Sequence, residues 1–207
     1  MNDNQANKII KYYEFQSKFY DITRGFILYG RKKLLKIIFN QINQSKNSKY
    51  KIQNILDIAC GTGYFINKIN KKYPKINITG IDLSKEMISK INNNQSKNIN
   101  IINYDFSKYD FEENKYDLII LSYSLTISGN DPEKILEKAK SLLNKNGIIM
   151  IVDFYKIFDF YKNFMSRNNI ITYQNIDQLL DNNFTKKYFS KKWAAPYPWL
   201  YYYYIGS

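Results

Sequence analysis

The chain has 207 residues, with 31 Lys and Arg against 18 Asp and Glu, a formal net charge of +13, no histidine and one cysteine. Its length suits one domain with a sizeable core, and an apolar share of 44% fits a globular chain rather than a disordered one. The missing histidines exclude Ser-His-Asp and Cys-His triads and His-ligated zinc; a single cysteine excludes an internal disulfide or a Cys-cluster metal site.

In chain order, residues 5–40 read as helical, with apolar groups at Ile9, Tyr12, Tyr13, Phe19, Ile22, Phe26, Leu34, Leu35 and Ile38, broken near Gly25 and Gly30. Ile55 to Ala59 is a short apolar run ending in a Gly-rich turn, which predicts a buried strand. Tyr64 to Lys72 predicts a helix stopped near Pro74, and Ile76 to Asp82 a second strand. Ser84 is placed to cap a helix through Met87, Ile88 and Ile91. Ile99 to Tyr104 and Tyr116 to Ser122 predict strands three and four. Asp131-Pro132-Glu133 has the order of a helix start, with Asn146-Gly147 expected to close that helix before a fifth strand, Ile148 to Phe154. Phe184 to Trp193 and Trp199 to Ile205 read as a terminal hairpin about the Pro196/Pro198 turn. Such alternation predicts an α/β fold: a seven-stranded, mostly parallel sheet with helices on both faces and extra N-terminal helices.

No targeting segment is visible, because Met1 to Asn7 are polar. No run reaches the ~18 apolar residues that would span a bilayer. A cytoplasmic protein, soluble or peripheral on the inner face of the membrane, is expected, and the lone cysteine agrees with a reducing compartment.

The chemistry concentrates at Leu56-Asp57-Ile58-Ala59-Cys60-Gly61-Thr62-Gly63-Tyr64-Phe65. A strand running through small residues into a helix lets backbone approach a ligand, with helix N–H groups facing it. Ile66 stands where the third glycine of a dinucleotide fingerprint would fall, which argues against close pyrophosphate binding. Asp82 closes the second strand, 21 residues after Gly61, where a carboxylate accepts both hydroxyls of a ribose. Asp105 follows the third strand beside Phe106. Three carboxylates, Asp57, Asp82 and Asp105, thus gather at one edge of the sheet, where ligands bind in such folds. Cys60 reads as a small buried residue rather than a nucleophile.

Over residues 50–155 this set resembles the class I S-adenosylmethionine-dependent methyltransferases, a Rossmann-like fold. The resemblance implies S-adenosylmethionine as cofactor, with Gly61, Thr62 and Gly63 making room for its methionine part and Asp57 beneath that loop near the amino group. It implies Asp82 on the ribose, Leu83 and Met87 against the adenine, and Asp105 and Phe106 at the adenine's amino edge. Ser122 and Tyr123 would flank the methyl group. The chain then divides into an N-terminal helical cap, residues 1–45, and a cofactor-binding core, residues 46–207.

Further out, Phe19-Tyr20-Asp21-Ile22-Thr23-Arg24 with Leu28-Tyr29-Gly30-Arg31, together with Ser122 to Ile127 and Pro198 to Gly206, is similar to the N-methyltransferases that complete betaine lipids from diacylglyceryl-homoserine. That resemblance implies a lipid-linked amine acceptor, with Tyr20 and Arg31 closing over the cofactor and Tyr20 and Tyr123 as candidates for catalysis. Phosphatidylethanolamine or a soluble small amine are alternative acceptors; an RNA-binding methyltransferase-like protein is an alternative of another class. The Asp/Asn-Pro-Pro-aromatic signature of adenine or glutamine methylation and the Pro-Cys nucleophile of cytosine enzymes are both absent. No metal is expected.

The charge has two open readings. Of the 31 cations 28 are lysines, and a compositional lysine coat would suffice. The excess nonetheless concentrates at the two ends, where Lys8, Lys11, Lys18, Lys32, Lys33 and Lys36 on an amphipathic segment would meet an anionic membrane. Nucleic acid is not expected as a partner, since no recognition motif accompanies the charge.

Overall fold

The computed structural model describes residues 28–91, 96–112, 115–127, 131–167 and 170–207. Tyr20 and most of the segment from Phe19 to Arg31, with Lys8, Lys11 and Lys18, lie outside the described residues. The described part begins with α1 (Arg31–Lys46), capped by Gly30 at φ 87°. It continues as β1 (Asn54–Ile58), α2 (Tyr64–Lys72), β2 (Asn77–Asp82), α3 (Lys85–Ile88), β3 (Ile99–Asn103) and β4 (Tyr116–Ser122). Then come α4 (Pro132–Ser141), β5 (Leu143–Ile157), α5 (Asp159–Arg167), α6 (Ile176–Asn183), β6 (Lys186–Trp193) and β7 (Trp199–Gly206).

The strands form one seven-stranded sheet in the order β3-β2-β1-β4-β5-β7-β6. All pairings among β1 to β5 are parallel, and β7 runs antiparallel to both β5 and β6. The expected architecture is therefore present, terminal hairpin included. Because both faces are covered, the central strands read as continuous apolar runs rather than alternating ones. Alternation reappears in where those residues point. Ile55, Leu118, Ile120, Met150 and Val152 pack with Leu34, Ile38, Phe65 and Ile69 of α1 and α2. Leu56, Ile58, Ile119, Leu121 and Ile151 pack with Leu136, Ala139 and Leu180 of α4 and α6. Since α1 shares the first of these cores with the strands, this part of the cap is not separately packed.

The tyrosine run at the C-terminus follows the same rule. Tyr203 enters the α1 side, while Tyr202 and Tyr204 enter the other, all three fully buried. The Tyr203 hydroxyl donates to the Gly30 carbonyl (3.2 Å), and that of Tyr204 to the carbonyls of Leu180 (3.2 Å) and Phe184 (3.1 Å). Burying three such rings supplies apolar area, and for Tyr203 and Tyr204 a donated hydroxyl avoids the cost of an unpaired polar tip, whereas the Tyr202 hydroxyl is buried without a partner.

Two expectations differ. The helix from Pro132 ends at Ser141, with Asn146-Gly147 inside β5 instead of closing it. The β4–β5 register passes from Tyr116↔Leu143 directly to Leu118↔Ile148, so residues 144–147 bulge from the ladder. A Cβ on Gly147 would come within 2.9 Å of the Tyr116 carbonyl, so the glycine serves a close strand approach and not a helix cap. The second difference is an omission: α5 and α6 occupy a stretch for which no element was expected. Among the described residues no helix is long and apolar enough to cross a membrane.

At this bulge Asp117 accepts from the backbone N–H of Gln53 and Asn54 (both 2.9 Å) and from Asn144 Nδ2 (2.6 Å). One carboxylate thus ties β4 to the entry of β1 and to the irregular part of β5. Asp117→Ala should lower unfolding free energy by about 1–3 kcal/mol, because two N–H donors at a strand entry lose a charged acceptor. Urea unfolding checks this; an unchanged midpoint would remove Asp117 from the forces holding the register.

Candidate functional site: a cavity at the carboxyl edge of the sheet

The carboxyl ends of β1 to β4 open on a cavity of about 390 Å³. Its wall is built by loops whose backbones are forced into unusual shapes. Ala59, immediately after β1, has φ 55°, and Tyr123, immediately after β4, has φ 57°. Left-handed backbone on residues with a Cβ costs on the order of 1–2 kcal/mol and persists only where the surroundings impose it. Neither strained position was legible in the sequence.

The surroundings at β1 are Gly61 and Asp82. The Gly61 N–H donates to Asp82 Oδ2 (2.8 Å), and the Ser84 N–H donates to Asp82 Oδ1 (2.9 Å). Asn103 Nδ2 holds the carbonyls of Asp82 (3.1 Å) and Leu83 (2.9 Å) from β3. Burial raises the Asp82 carboxyl above its ordinary value, opposed by the N–H groups of Ser84, Gly61 and Leu83. Ser84 caps α3 through the Met87 N–H (3.3 Å), which fixes Met87 against the cavity.

At β4 the support comes from Asp153 on β5. This fully buried carboxylate accepts from the N–H groups of Leu125 (2.8 Å) and Phe154 (2.8 Å) and from the Thr126 hydroxyl. Burial pushes its pKa up to about 6 against those hydrogen bonds. The Tyr123 hydroxyl donates to the Tyr29 carbonyl (2.5 Å), and burial holds it well above the usual phenol range. Tyr123 therefore offers the cavity a ring and not a base. Asp153 was not anticipated; an acid inside an otherwise apolar strand, as at Asp57, is the signal that could have found it.

Of the expected residues, Gly61, Asp82, Leu83, Met87, Asp105, Phe106, Ser122 and Tyr123 all line this cavity. Four stand back from its wall. Thr62 is buried in the turn. Gly63 caps α2 at φ 77°, where a Cβ would press on Ile91 at 3.0 Å. Arg31 places its guanidinium 4.2 Å from the Tyr64 ring centroid, a cation–π contact in place of a cavity position. Asp57 is 2% exposed within β1. Burial pushes its pKa up to about 7; the charge of Arg31 pulls it down and that of Asp82 pushes it up. Cys60 is buried, and burial raises its thiol well above the usual range, in keeping with a structural residue.

The methyltransferase domain family matches residues 49–201. The chain belongs to this family. Its fold is that of the class I S-adenosylmethionine-dependent methyltransferases, whose cofactor is S-adenosylmethionine. Over 105 residues, half of the chain, it is 35% identical to malonyl-[acyl-carrier protein] O-methyltransferase 2 of Ilyobacter polytropus. Over 161 residues, 74% of the chain, it is 27% identical to a demethylmenaquinone methyltransferase of Staphylococcus aureus. The matches span 40% and 64% of those relatives' lengths. Magnesium protoporphyrin IX methyltransferase from Synechocystis, solved with bound SAH, superposes with a TM-score of 0.70 at 13% identity, covering 98% of this chain and 100% of that one. The Haemonchus contortus Phospholethanolamine N-methyltransferase 2, in complex with phosphomonomethylethanolamine and S-adenosylhomocysteine, gives 0.67 at 12% identity, over 94% of this chain and 59% of that one. At such identities the likeness is one of fold.

The polar atoms of this methyltransferase domain fit the cofactor. Asp57 Oδ2, Asp105 Oδ2 and Ser122 Oγ are buried without a hydrogen-bond partner. Unpaired acceptors of this kind are costly unless a ligand supplies donors, and the cofactor's ammonium, amino and hydroxyl groups are donors. Among the described residues no cluster of metal-ligating side chains occurs.

The raised Asp57 carboxyl has a measurable consequence. A buried acid whose folded pKa lies near 7 rather than 3.8 contributes its stabilisation fully below about pH 4, and loses it as pH climbs through 7. Ligand-free protein should therefore become less stable over that window, by up to about 1.4 kcal/mol per pH unit from this group. In Asp57→Asn the slope should flatten. Urea midpoints measured across the pH range test this; parallel slopes in the two proteins would show that Asp57 is ordinary.

Proposed function

We propose that this chain transfers a methyl group from S-adenosylmethionine to the amine nitrogen of a small-molecule or lipid-linked acceptor, with the betaine-lipid headgroup as the acceptor favoured by its outer motifs. The observation that carries the reading is that, of the wall's proton-accepting groups, Asp82 and Tyr123 are both committed, which leaves Asp105 as the carboxylate with an unpaired oxygen. Both oxygens of Asp82 receive backbone N–H groups, and the Tyr123 hydroxyl is committed to a carbonyl. The chain has no histidine. An acceptor that brings its own lone pair, as a neutral amine does, needs positioning and exclusion of water more than proton abstraction.

In this reading Asp82 holds the ribose, Leu83 and Met87 flank the adenine, and Asp105 with Phe106 meets its amino edge. Gly61, Thr62 and Gly63 leave room for the methionine part, with Asp57 beneath that loop, Ser122 flanking the methyl group and Arg31 closing over the cofactor. Tyr20 closes over the cofactor from the cap, residues 1–45. The cofactor supplies a methyl group on a sulfonium. The rings of Tyr104, Phe106 and Tyr123 on the wall suit a cationic sulfonium and a methylated ammonium, each attracted to an aromatic face. A second reading, methyl transfer to an acidic oxygen or carbon acceptor, is favoured by the named activities of the two relatives and by Lys108 and Lys134 on the wall.

Incubating the full chain with labelled cofactor and mixed lipid extracts, with the product identified by mass, decides between them. Label on an amino headgroup is expected; label confined to carboxylate or quinol products would overturn the amine reading. Asp82→Ala should weaken S-adenosylhomocysteine binding by about tenfold or more, the cost of losing hydrogen bonds to a charged acceptor. Calorimetry giving the wild-type affinity in a folded variant would sink the ribose assignment.

A further inference from the structure

The carboxyl end of β5 and the turn joining β6 to β7 lie at the same edge of the sheet as the cavity. They carry a surface that methyl transfer does not use. Phe158, Phe160, Phe164 and Trp193 are exposed to 38, 80, 50 and 64% respectively. The rings form two neighbouring groups, tied by the Tyr161 N–H donating to the Phe158 carbonyl (2.9 Å). Phe158 stacks on Phe160 (6.4 Å), Phe164 lies 4.8 Å from Tyr161, and Tyr161 lies 5.9 Å from Trp199. Trp199 stacks on Tyr197 (4.7 Å), whose carbonyl accepts from Trp193 Nε1 (2.8 Å). On α5 the residues Tyr161 and Met165 turn toward the core while Phe160 and Phe164, one turn apart, face outward.

Cations frame the rings. Residues 156–167 and 191–193 carry five Lys and Arg against one carboxylate, Asp159, and Lys191 also faces Asp177 at 3.5 Å. Asp159 is itself paired with Lys162 at 2.6 Å. Contiguous exposed aromatics mark contact surfaces. Rings of Phe and Trp mixed with Lys and Arg match the chemistry of a bilayer interface, where rings sit at headgroup level and cations meet anionic lipid. The surface also leads inward: Trp199 is 6.1 Å from Phe154, and Phe154 is 4.7 Å from Tyr123 on the cavity wall.

We propose that this aromatic and basic rim, Phe158 to Phe164 with Lys191 to Trp193, docks the protein on an anionic membrane surface and turns the cavity's edge of the sheet toward the bilayer. The proposal rests on the lipid-linked acceptor of the previous section. It places docking on the described C-terminal half of the chain and not on the N-terminal lysines.

The test uses the full chain and vesicles of phosphatidylcholine alone or mixed with phosphatidylglycerol. Co-sedimentation is expected with the mixed vesicles only, and high salt should release the protein. The Phe160→Ser/Trp193→Ser double variant should bind these vesicles about tenfold or more weakly while keeping the wild-type affinity for S-adenosylhomocysteine. Three outcomes would overturn the proposal: wild type that ignores mixed vesicles; a variant that pellets as wild type does, which would move docking to another segment such as residues 1–27; or light scattering that shows the wild type self-associated and the variant monomeric, which would make a second copy the occupant. Methyl transfer to a detergent-dispersed lipid amine needs no membrane and judges the acceptor reading separately.

Discussion

The site exists because the chain winds in opposite directions from two adjacent strands. From β1 it proceeds outward through β2 to β3, and from β4 outward through β5 to the hairpin. The connections leaving β1 and β4 therefore diverge to opposite faces of the sheet, and no helix can cover the gap between their carboxyl ends. Everything polar in the cavity is a response to that gap. Ala59 and Tyr123, the first residues beyond the two strands, both take left-handed backbone to turn the chain away from it. Each strained turn is held by a carboxylate on the neighbouring outer strand, Asp82 from β2 and Asp153 from β5. The pair forms a bracket: two acids whose burial costs are offset by backbone N–H groups that would otherwise be orphaned at strand ends.

This bracket explains why the two acids differ from Asp57. Asp82 and Asp153 are stabilised by hydrogen bonds that the fold itself supplies, whereas Asp57 has an oxygen with no partner and only the more distant charge of Arg31 to oppose its burial. A group left in that condition contributes little to stability. Its burial within β1 is an electrostatic cost that the fold itself leaves unpaired.

The part of this legible in the sequence was the part governed by local rules. Tyr64–Lys72 and Tyr116–Ser122 were readable to the residue, because a glycine turn, a proline and an unbroken apolar run mark their ends. Asp82 and Asp105 were readable because strand ends and carboxylates coincide. What stayed hidden depends on contacts between distant residues. Asn146-Gly147 has the composition of a helix cap, and only the approach of the Tyr116 carbonyl makes it a strand bulge. Arg31 was expected to close over the cofactor, and only the position of Tyr64 reveals the cation–π contact its guanidinium makes. Asp153 was not anticipated, because its meaning lies with Thr126, 27 residues away.

The tyrosine-rich tail shows how one segment serves both stability and the site. Its alternation sends Tyr203 to the α1 side, where the hydroxyl reaches the Gly30 carbonyl, while the Tyr123 hydroxyl reaches the adjacent carbonyl of Tyr29. Two hydroxyls from two different strands thus tie down the turn that leads into α1. The position of α1 on its face of the sheet is set by the tail and by the loop after β4 together. A change that loosened β7 would be felt at Tyr123 through Trp199 and Phe154, because packed aromatic rings have few alternative arrangements. The edge strands that complete the sheet are in this sense also the outer support of the cavity.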